Sequence, residues 1–407
     1  MEKIARKIKK PNKVLLGVAK LFYGNPMSCF CWKLKTENKI GKLKPPYLIL
    51  ANHSSFEDIV IGGTACYPIT PNYVASYNLL IGHEKLMRSL GAVPKKQFVK
   101  DFSLIRDIRS MLRNGHVVTI LPEGKISVDG RCSRLRKSTA KLIKLMKVPV
   151  VVMKINGSYL NRPKWAKRRI GCPVEVKLYP LFTAQETKEK SVEEIFDVMC
   201  KNLDYNAYLW QRENKVKTGK NRCENLHTVL YRCPHCGREF QMQSEQNRLH
   251  CKACGKTWKM DEFGVIRATD GKTEFDSVPA WYDMERIAVR KELLQKTYRY
   301  ESPAEILELP DFQGYRSVGQ GVIRYTTDGF FYCGSWKSAE VELHSPVRSN
   351  DTLAFDMEKS FDFIYENDAY RVKPQHVAEL VKLNLAVEEN YKIHFENADE
   401  GGLFDKA

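Results

Sequence analysis

His53 and Asp58 are the residues whose types and spacing first suggest chemistry. They lie in the run NHSSFED at positions 52–58. A carboxylate that holds the Nδ1 proton of an imidazole leaves Nε2 free as a base toward an incoming hydroxyl. That arrangement is a Ser-His-Asp triad without its serine, so the nucleophile would be the substrate's own oxygen. A helix capped by Ser54 or Ser55 explains the same run, because Glu57 and Asp58 each follow a serine by three residues.

The elements around this run are expected to place it at a ligand-binding edge. Strands that alternate with amphipathic helices predict an α/β fold with a mostly parallel sheet flanked by helices. His53 would then follow the carboxyl end of a strand, where open α/β sheets bind ligands. Residues 174–178 alternate like an edge strand. The buried strands are expected at 47–51, 117–121 and 148–155, and the helices at 100–114, 134–147 and 192–203.

Two further turns lie near the ends of predicted strands. Pro122-Glu123-Gly124 follows one of them, and positions 91–96 read GAVPKK. Together with NHSSFED and the apolar VPVVV at 148–152, this ordered set resembles the glycerol-3-phosphate and 1-acylglycerol-3-phosphate (lysophosphatidate) acyltransferase family. The motifs of that family are N-H-x4-D, a Gly-led turn ending in Arg, F-P-E-G, and an apolar strand with proline. The resemblance covers about residues 47–185, with Leu121 where the third motif has Phe.

The resemblance implies a reaction and a role for each motif. A fatty acyl group would pass from a thioester, acyl-CoA or acyl-carrier protein, to a hydroxyl of a glycerol phosphate such as 1-acylglycerol-3-phosphate. His53 would remove the hydroxyl proton as the oxygen attacks the thioester carbonyl, and Asp58 would orient His53. Glu123 and Gly124 match the motif that shapes the acceptor site, and backbone N–H groups of such a turn suit a phosphate or an oxyanion. No catalytic cofactor is needed.

The second motif departs from the family pattern. Counted from the glycine at 91, the expected arginine falls on Gln97, which cannot pair with a phosphate charge. Lys95, Lys96 or Lys100 would substitute as point charges, without the bidentate fork of arginine; the alternative is a solvated basic turn. This departure from the family pattern affects the predicted identity of the acceptor more than the predicted reaction. Arg134, Arg136 and Lys137 raise the same question, since they fit a substrate phosphate, CoA, an acyl-carrier protein or lipid headgroups.

Four cysteines predict a metal site separate from this chemistry. Cys233, Cys236, Cys251 and Cys254 form two C-x2-C-G turns that are 14 residues apart. Four thiolates in two tight turns suit a closed tetrahedral zinc site, and a filled shell leaves no open position for catalysis. The sequence therefore predicts a structural Zn²⁺ in a zinc ribbon.

Charge is unevenly distributed along the chain. The whole chain carries +18, but residues 261–407 hold 17 basic and 28 acidic side chains, so the first 260 residues carry +29. Residues 1–45 form a basic segment with helical apolar spacing and aromatics, which suits the headgroup layer of an anionic membrane. The alternative for this segment is an ordinary surface helix. No secretory signal and no apolar stretch of spanning length are evident. The expected location is cytoplasmic, peripheral on the inner face of the cell membrane.

The rest of the chain divides by composition. We expect the α/β domain at 46–205, a polar linker at 206–230, the zinc ribbon at 231–265, and an acidic helix followed by a β-rich domain with a terminal helix at 266–407. The last region is similar to one found in some bacterial acyltransferase-like proteins. Its plan also resembles PH- and GRAM-like modules, an analogy that assigns no role.

Two other classes of function remain open from the sequence. A zinc ribbon on a basic protein also suggests nucleic-acid binding, with Phe240 and Trp258 as stacking surfaces. The charge is spread beyond the ribbon and the tail is acidic, so no nucleic acid is expected as a partner. A non-catalytic lipid-binding protein is the other alternative, and the intact His53 and Asp58 argue against it.

Overall fold

The computed structural model describes residues 10–15, 17–18, 33–99 and 101–395. Most of the basic N-terminal segment and Lys100 therefore lie outside the described residues. Among the residues that are described, no helix is both long enough and apolar enough to cross a membrane.

A seven-stranded sheet forms the centre of the N-terminal half. Its strand order is β1-β7-β6-β2-β5-β3-β4, and every neighbouring pair is parallel except β6 with β7. The expected α/β fold with a mostly parallel sheet is thus present. The strands are β1 (Leu34–Asn38), β2 (Tyr47–Ala51), β3 (Asn72–Ser76), β4 (Ala92–Lys95), β5 (Val117–Ile120), β6 (Val150–Asn156) and β7 (Val174–Phe182).

Strand β7 corrects one expectation about the sheet. Residues 174–178 are not at the edge, because β1 pairs with β7 on the side away from β6. The alternation arises because Val174, Val176 and Leu178 are buried, whereas Glu175 and Lys177 are partly exposed. Alternation of apolar and polar residues along a strand therefore indicates that one face of the strand is buried, and it does not indicate that the strand lies at the edge of the sheet.

Apolar side chains on both faces of the sheet bury it between helices. In β2, Leu48 and Leu50 join the core on one face, while Tyr47, Ile49 and Ala51 join the core on the other. Burial on both faces is typical of a parallel sheet and explains why β2 is apolar at every position. The helices of this half are α1 (Asp58–Cys66), α2 (Glu84–Ser89), α3 (Phe102–Arg113), α4 (Lys137–Met146), α5 (Ser158–Asn161), α6 (Ala184–Glu189), α7 (Val192–Leu203) and α8 (Ala207–Glu213), with a 3₁₀ turn at Tyr77–Leu80.

The segment 206–230, which the sequence predicts as a polar linker, is largely packed. It begins with α8 and ends with Leu226, Val229 and Leu230 fully buried in the same core as the cysteine-rich module. The apolar residues lie among charged ones, so composition alone does not reveal the packing. The module that follows is a four-stranded antiparallel sheet of β8 (Met242–Glu245), β9 (Arg248–Cys251), β10 (Thr257–Met260) and β11 (Ile266–Ala268).

The C-terminal region is a β-rich domain with a terminal helix, as expected. Helix α9 (Val278–Leu294) leads into an antiparallel sheet of order β15-β14-β13-β12-β18-β17-β16, and α10 (Leu380–Phe395) packs against α9. The strands are β12 (Tyr300–Asp311), β13 (Gly314–Thr326), β14 (Gly329–Trp336), β15 (Ala339–Pro346), β16 (Ala354–Asp356), β17 (Ser360–Tyr365) and β18 (Asp368–Pro374).

The turn between β12 and β13 anchors this domain to the α/β domain. Phe312 at the turn is 8% exposed, and its ring stacks on Tyr77 with 4.2 Å between centroids. The Arg88 guanidinium lies 5.3 Å from the same ring, and the Gly82 N–H donates to the Phe312 carbonyl at 3.1 Å. The two domains therefore share a small apolar core at this point.

Replacing Phe312 should loosen this anchor. We expect Phe312→Ala to lower the free energy of unfolding by about 3 kcal/mol, because a large buried side chain is lost and a cavity remains. Denaturant unfolding measures the change. Phe102→Ala is the matched control, since Phe102 is 77% exposed and its loss should change stability by no more than about 0.5 kcal/mol. Equal losses in the two variants would contradict the anchor.

Candidate functional site

The carboxylate of Asp58 organises the turn between β2 and α1. Its Oδ2 lies 3.0 Å from His53 Nδ1 and accepts the backbone N–H groups of Ser54 and Ser55 at 2.6 and 2.8 Å. Its Oδ1 accepts the hydroxyl of Ser158 at 2.6 Å. Asp58 is buried, whereas the His53 side chain is 17% exposed. Because Nδ1 faces the carboxylate, Nε2 is the ring nitrogen left for a substrate.

The helix start differs in detail from a serine-capped one. Helix α1 begins at Asp58 with Glu57 as its N-cap, and no side chain caps it in the usual way. The Ser55 hydroxyl instead donates to the Arg162 carbonyl at 2.9 Å. In a capping box a serine hydroxyl and a carboxylate each accept a backbone N–H at the start of the helix. Only the carboxylate part is present here, because Asp58 accepts the N–H groups of Ser54 and Ser55, which precede the helix. The run NHSSFED is therefore a helix start whose carboxylate also holds a histidine.

The other polar residues of the run bind β6 and the loop after it. The Asn52 amide exchanges two hydrogen bonds with the backbone of Ile155, at 2.8 and 2.7 Å. Glu57 accepts from Asn161 at 3.1 Å and from Arg169 Nε at 2.7 Å. These partners lie more than 100 residues away and carry no local signal, so sequence reasoning did not find them.

Glu123 lies in the turn Pro122-Glu123-Gly124, where its carboxyl accepts two backbone N–H groups. Its Oε1 accepts the His53 N–H at 2.7 Å, and its Oε2 accepts the Ser133 N–H at 2.7 Å. The carboxyl is 3% exposed, and burial raises the pKa of Glu123 to about 8. Both oxygens are occupied by backbone groups, so Glu123 fixes the backbone of His53.

A hydrogen bond between Gln97 and Gly124 joins the turn at residues 91–97 to the turn Pro122-Glu123-Gly124. Gly124 has φ +68°, and a Cβ at this position would lie 3.2 Å from the ring of Phe98, so both the backbone conformation and the space favour glycine. Its N–H donates to the Leu121 carbonyl at 3.1 Å, so this donor is not free for a phosphate or an oxyanion. Its carbonyl accepts from Gln97 Nε2 at 2.8 Å. Where the second motif of the family has arginine, this chain has Gln97, whose side chain forms a hydrogen bond to the Pro122-Glu123-Gly124 turn.

Two cavities meet at His53. The larger, of about 540 Å³, is mainly apolar and also takes residues from the C-terminal domain. The smaller, of about 410 Å³, passes Lys95, Gln97 and the Pro122-Glu123-Gly124 turn. Residues that line the larger cavity include His53, Phe56, Ile59, Val60, Gly63, Tyr73, Met87, Leu90, Lys125, Ile126, Lys164, Phe355, Asp356 and Arg371.

The three lysines predicted to bind substrate are in different places. Lys95 lines the smaller cavity, where burial and the nearby Arg136 lower its pKa. Lys96 pairs with Asp368 of the C-terminal domain at 2.7 Å, and Lys137 pairs with Glu193 on α7 at 3.0 Å. Of these three lysines, Lys95 is the one that shares a cavity with His53 and forms no ion pair with a carboxylate among the described residues.

Of the two arginines considered above, Arg136 lines the smaller cavity together with the Pro122-Glu123-Gly124 turn. The Arg136 guanidinium stacks on Phe98 at 4.6 Å and pairs with Asp351. Arg134 lies over the ring of Tyr391 at 5.1 Å. Sequence reasoning missed the basic residues of the larger cavity, Lys125, Lys164 and Arg371. Tertiary packing brings them to His53 from outside its motif.

The four cysteine sulfurs converge on one point. Each offers a ligand atom, and all four atoms lie within 4.8 Å of one another. Cys233 and Cys254 are 3.8 Å apart, as are Cys236 and Cys251. Tetrahedral thiolates at Zn–S distances of about 2.3 Å would be separated by about 3.8 Å, so the geometry fits a metal ion.

Known proteins provide an independent comparison. Residues 33–156 match the family described as Acyltransferase. The crystal structure of the 1-acyl-sn-glycerophosphate (LPA) acyltransferase PlsC from Thermotoga maritima is similar over 47% of this chain and 79% of that chain, at 21% identity and a TM-score of 0.38. No curated protein sequence matches the chain. The matched segment contains His53, Asp58 and Glu123 but neither the cysteines nor the C-terminal domain.

Replacing Glu123 by glutamine should disturb the position of His53. Glutamine offers one acceptor oxygen where two N–H groups need acceptors, so Glu123→Gln should cost about 1–3 kcal/mol of unfolding free energy. Because the pKa of Glu123 is raised in the folded state, the folded protein keeps this proton at pH values where the unfolded chain has lost it. The stability that this proton contributes is therefore lost as pH rises toward about 8. The stability difference between wild type and variant should therefore shrink between about pH 5 and 8. A difference that grows with pH would contradict the assignment.

Proposed function

We propose that this chain, whose residues 33–156 form an acyltransferase-family domain, transfers a fatty acyl group from a thioester to a hydroxyl of a glycerol phosphate. The acceptor that we propose is 1-acylglycerol-3-phosphate, and the donor is acyl-CoA or an acyl-carrier protein. The observation that carries the proposal is the 3.0 Å contact of His53 Nδ1 with Asp58, beside a mainly apolar cavity of about 540 Å³. A cavity of this size suits an acyl chain.

The proposed reaction uses His53 twice. Nε2 takes the proton of the acceptor hydroxyl as its oxygen forms a bond to the thioester carbonyl carbon. When the tetrahedral intermediate breaks its carbon–sulfur bond, the imidazolium returns the proton to the departing thiolate. Asp58 holds Nδ1 throughout and stabilises the imidazolium without taking its proton. Four donors to Asp58 keep its carboxylate in place.

We propose a structural Zn²⁺ on Cys233, Cys236, Cys251 and Cys254. The sulfur separations of 3.8 Å support it. Four thiolates would complete the shell, so the ion would supply folding energy and no open position for catalysis.

The nucleic-acid alternative is weakened by the packing of the cysteine-rich module. Trp258, one of its expected stacking surfaces, is fully buried and contacts Trp281 with 5.1 Å between centroids. Its basic residue Lys256 pairs with Glu274 at 2.9 Å. We therefore propose an anionic membrane surface as the polyanionic partner, with the protein peripheral on the inner face of the cell membrane. The charge of +29 over the first 260 residues supports this.

His53→Ala should abolish acyl transfer. The purified chain is incubated with labelled acyl-CoA and acyl-carrier protein and with a panel of lysolipid and glycerol phosphate acceptors. Loss of the base should lower the rate by at least about 10³-fold, and Asp58→Asn should also impair it. His83→Ala is the matched control, because His83 is an exposed histidine outside the cavities.

Two outcomes would contradict the mechanism or the function. Transfer that survives in His53→Ala would remove the proposed base. Absence of transfer to any acceptor by the wild-type chain, together with salt-sensitive DNA or RNA binding, would favour the nucleic-acid alternative.

Removing the metal should destabilise the C-terminal half. The chain should contain about one zinc ion, and Cys251→Ser should lower Tm by about 10 °C or more, because metal binding contributes to folding. Cys333→Ser is the control, since Cys333 is an exposed thiol in β14. Elemental analysis and thermal unfolding measure both effects. Equal Tm values in the two variants, or wild type without metal, would contradict the site.

A further inference from the structure

Of the residues that the structure describes, three basic ones line the larger cavity beside His53, and two of them form ion pairs with carboxylates. Lys125 forms an ion pair with Glu388 and hydrogen bonds with Thr352. Arg371 pairs with Asp362 at 2.7 Å and with Asp356 at 3.1 Å. These pairs leave little charge on either residue for a ligand.

Lys164 differs from both. Among the described residues it has no hydrogen bond or ion pair, and its Nζ lies 3.8 Å from the centroid of the Phe355 ring. The backbone that carries it is fixed, because Pro163 and Trp165 on either side are buried. Removing an ammonium from water without a carboxylate costs stability, so such groups are uncommon except where a ligand uses them.

The charges around Lys164 do not compensate it. Asp356 and Asp362 face it, but both are bound by Arg371. Lys125 and Arg371 add positive charge on the same side. Burial lowers the pKa of Lys164 to about 7, so a bound anion would draw a proton onto it. Among the described residues that line the cavity, Lys164 is therefore the basic residue without an ion pair.

We propose that Lys164 binds the phosphate of the acceptor and thereby selects phosphate-bearing lysolipids over neutral glycerides. The inference rests on the proposed acyl transfer and names the residue that recognises its acceptor. Lys164 follows the segment that matches the acyltransferase family, and Phe355 belongs to the C-terminal domain. The acceptor site would thus be completed by a domain outside the matched segment. Gln97, at the position of the family's arginine, carries no charge that could pair with this phosphate.

The cavity also accounts for the rest of such an acceptor. Ile59, Val60 and Met87 line it with apolar surface that suits an acyl chain. His53 lines the same cavity, so the hydroxyl to be acylated would face a base while the phosphate reaches Lys164. One cavity would therefore hold the acyl chain, the hydroxyl and the anion of a single lysolipid.

Replacing Lys164 tests the inference. Lys164→Met and Lys164→Arg are compared with wild type, using 1-acylglycerol-3-phosphate and the neutral 1-acylglycerol as acceptors. Lys164→Met should raise KM for the phosphate acceptor by at least about tenfold, without raising KM for the donor or for the neutral acceptor. Lys164→Arg should retain most of the affinity. Lys167→Met is the matched control, because Lys167 is an exposed lysine three residues away.

Two further readouts separate binding from a structural role. Tm of Lys164→Met should equal or exceed that of wild type, because a poorly compensated charge has been removed. In wild type, KM for the phosphate acceptor should rise as pH increases through about 7, whereas in Lys164→Arg it should not. The sign follows because only the protonated lysine attracts phosphate.

Other outcomes overturn the inference and can be told apart from failure of the proposed function. A rise in KM for acyl-CoA alone would assign Lys164 to a donor phosphate. A fall in Tm that Lys164→Arg does not rescue would assign a structural role. Unchanged acceptor KM in Lys164→Met would remove the phosphate contact while acyl transfer stands. If wild type acylates no acceptor, the proposed function itself fails.

Discussion

The buried carboxylate of Asp58 is the interaction on which the arrangement of this site depends. A buried charge must be paired and hydrogen-bonded, and Asp58 satisfies that need with four donors from two places in the fold. Two are N–H groups of the turn after β2, one is the ring of His53, and one is Ser158 after β6. The hydrogen bonds of this one buried carboxylate thus join the end of β2, the start of α1 and the imidazole of His53.

Two buried carboxyl groups, those of Asp58 and Glu123, hold His53 in position. Asp58 fixes its ring, whereas Glu123 fixes its backbone N–H and carries that constraint to Ser133. Burial raises the pKa of Glu123, whereas the two N–H groups that it accepts favour its charged form. The Pro122-Glu123-Gly124 turn is thereby joined to the backbone of His53. Gln97 extends the same frame by binding the Gly124 carbonyl.

The sequence predicts those features that depend on local patterns. The apolar run of β2, the whole of α7 and the paired spacing of His53 with Asp58 all follow from neighbours in the chain. Features set by distant partners do not follow. Lys96 forms an ion pair with Asp368, which is 272 residues away, so no neighbour of Lys96 in the sequence predicts that ion pair. Residues 206–230 are charged in composition yet contribute buried leucines to a core, and β7 alternates without being an edge.

The cysteine-rich module affects the site through packing. Its buried Cys233, Cys251 and Trp258 belong to one continuous core that also includes Trp165 and Phe355. Trp165 adjoins Lys164 in the chain, and Phe355 contacts the Lys164 ammonium. A four-thiolate metal would therefore stabilise the core on which the C-terminal wall of the cavity rests. Because packed interiors transmit strain, we expect loss of the proposed metal to shift that wall of the cavity.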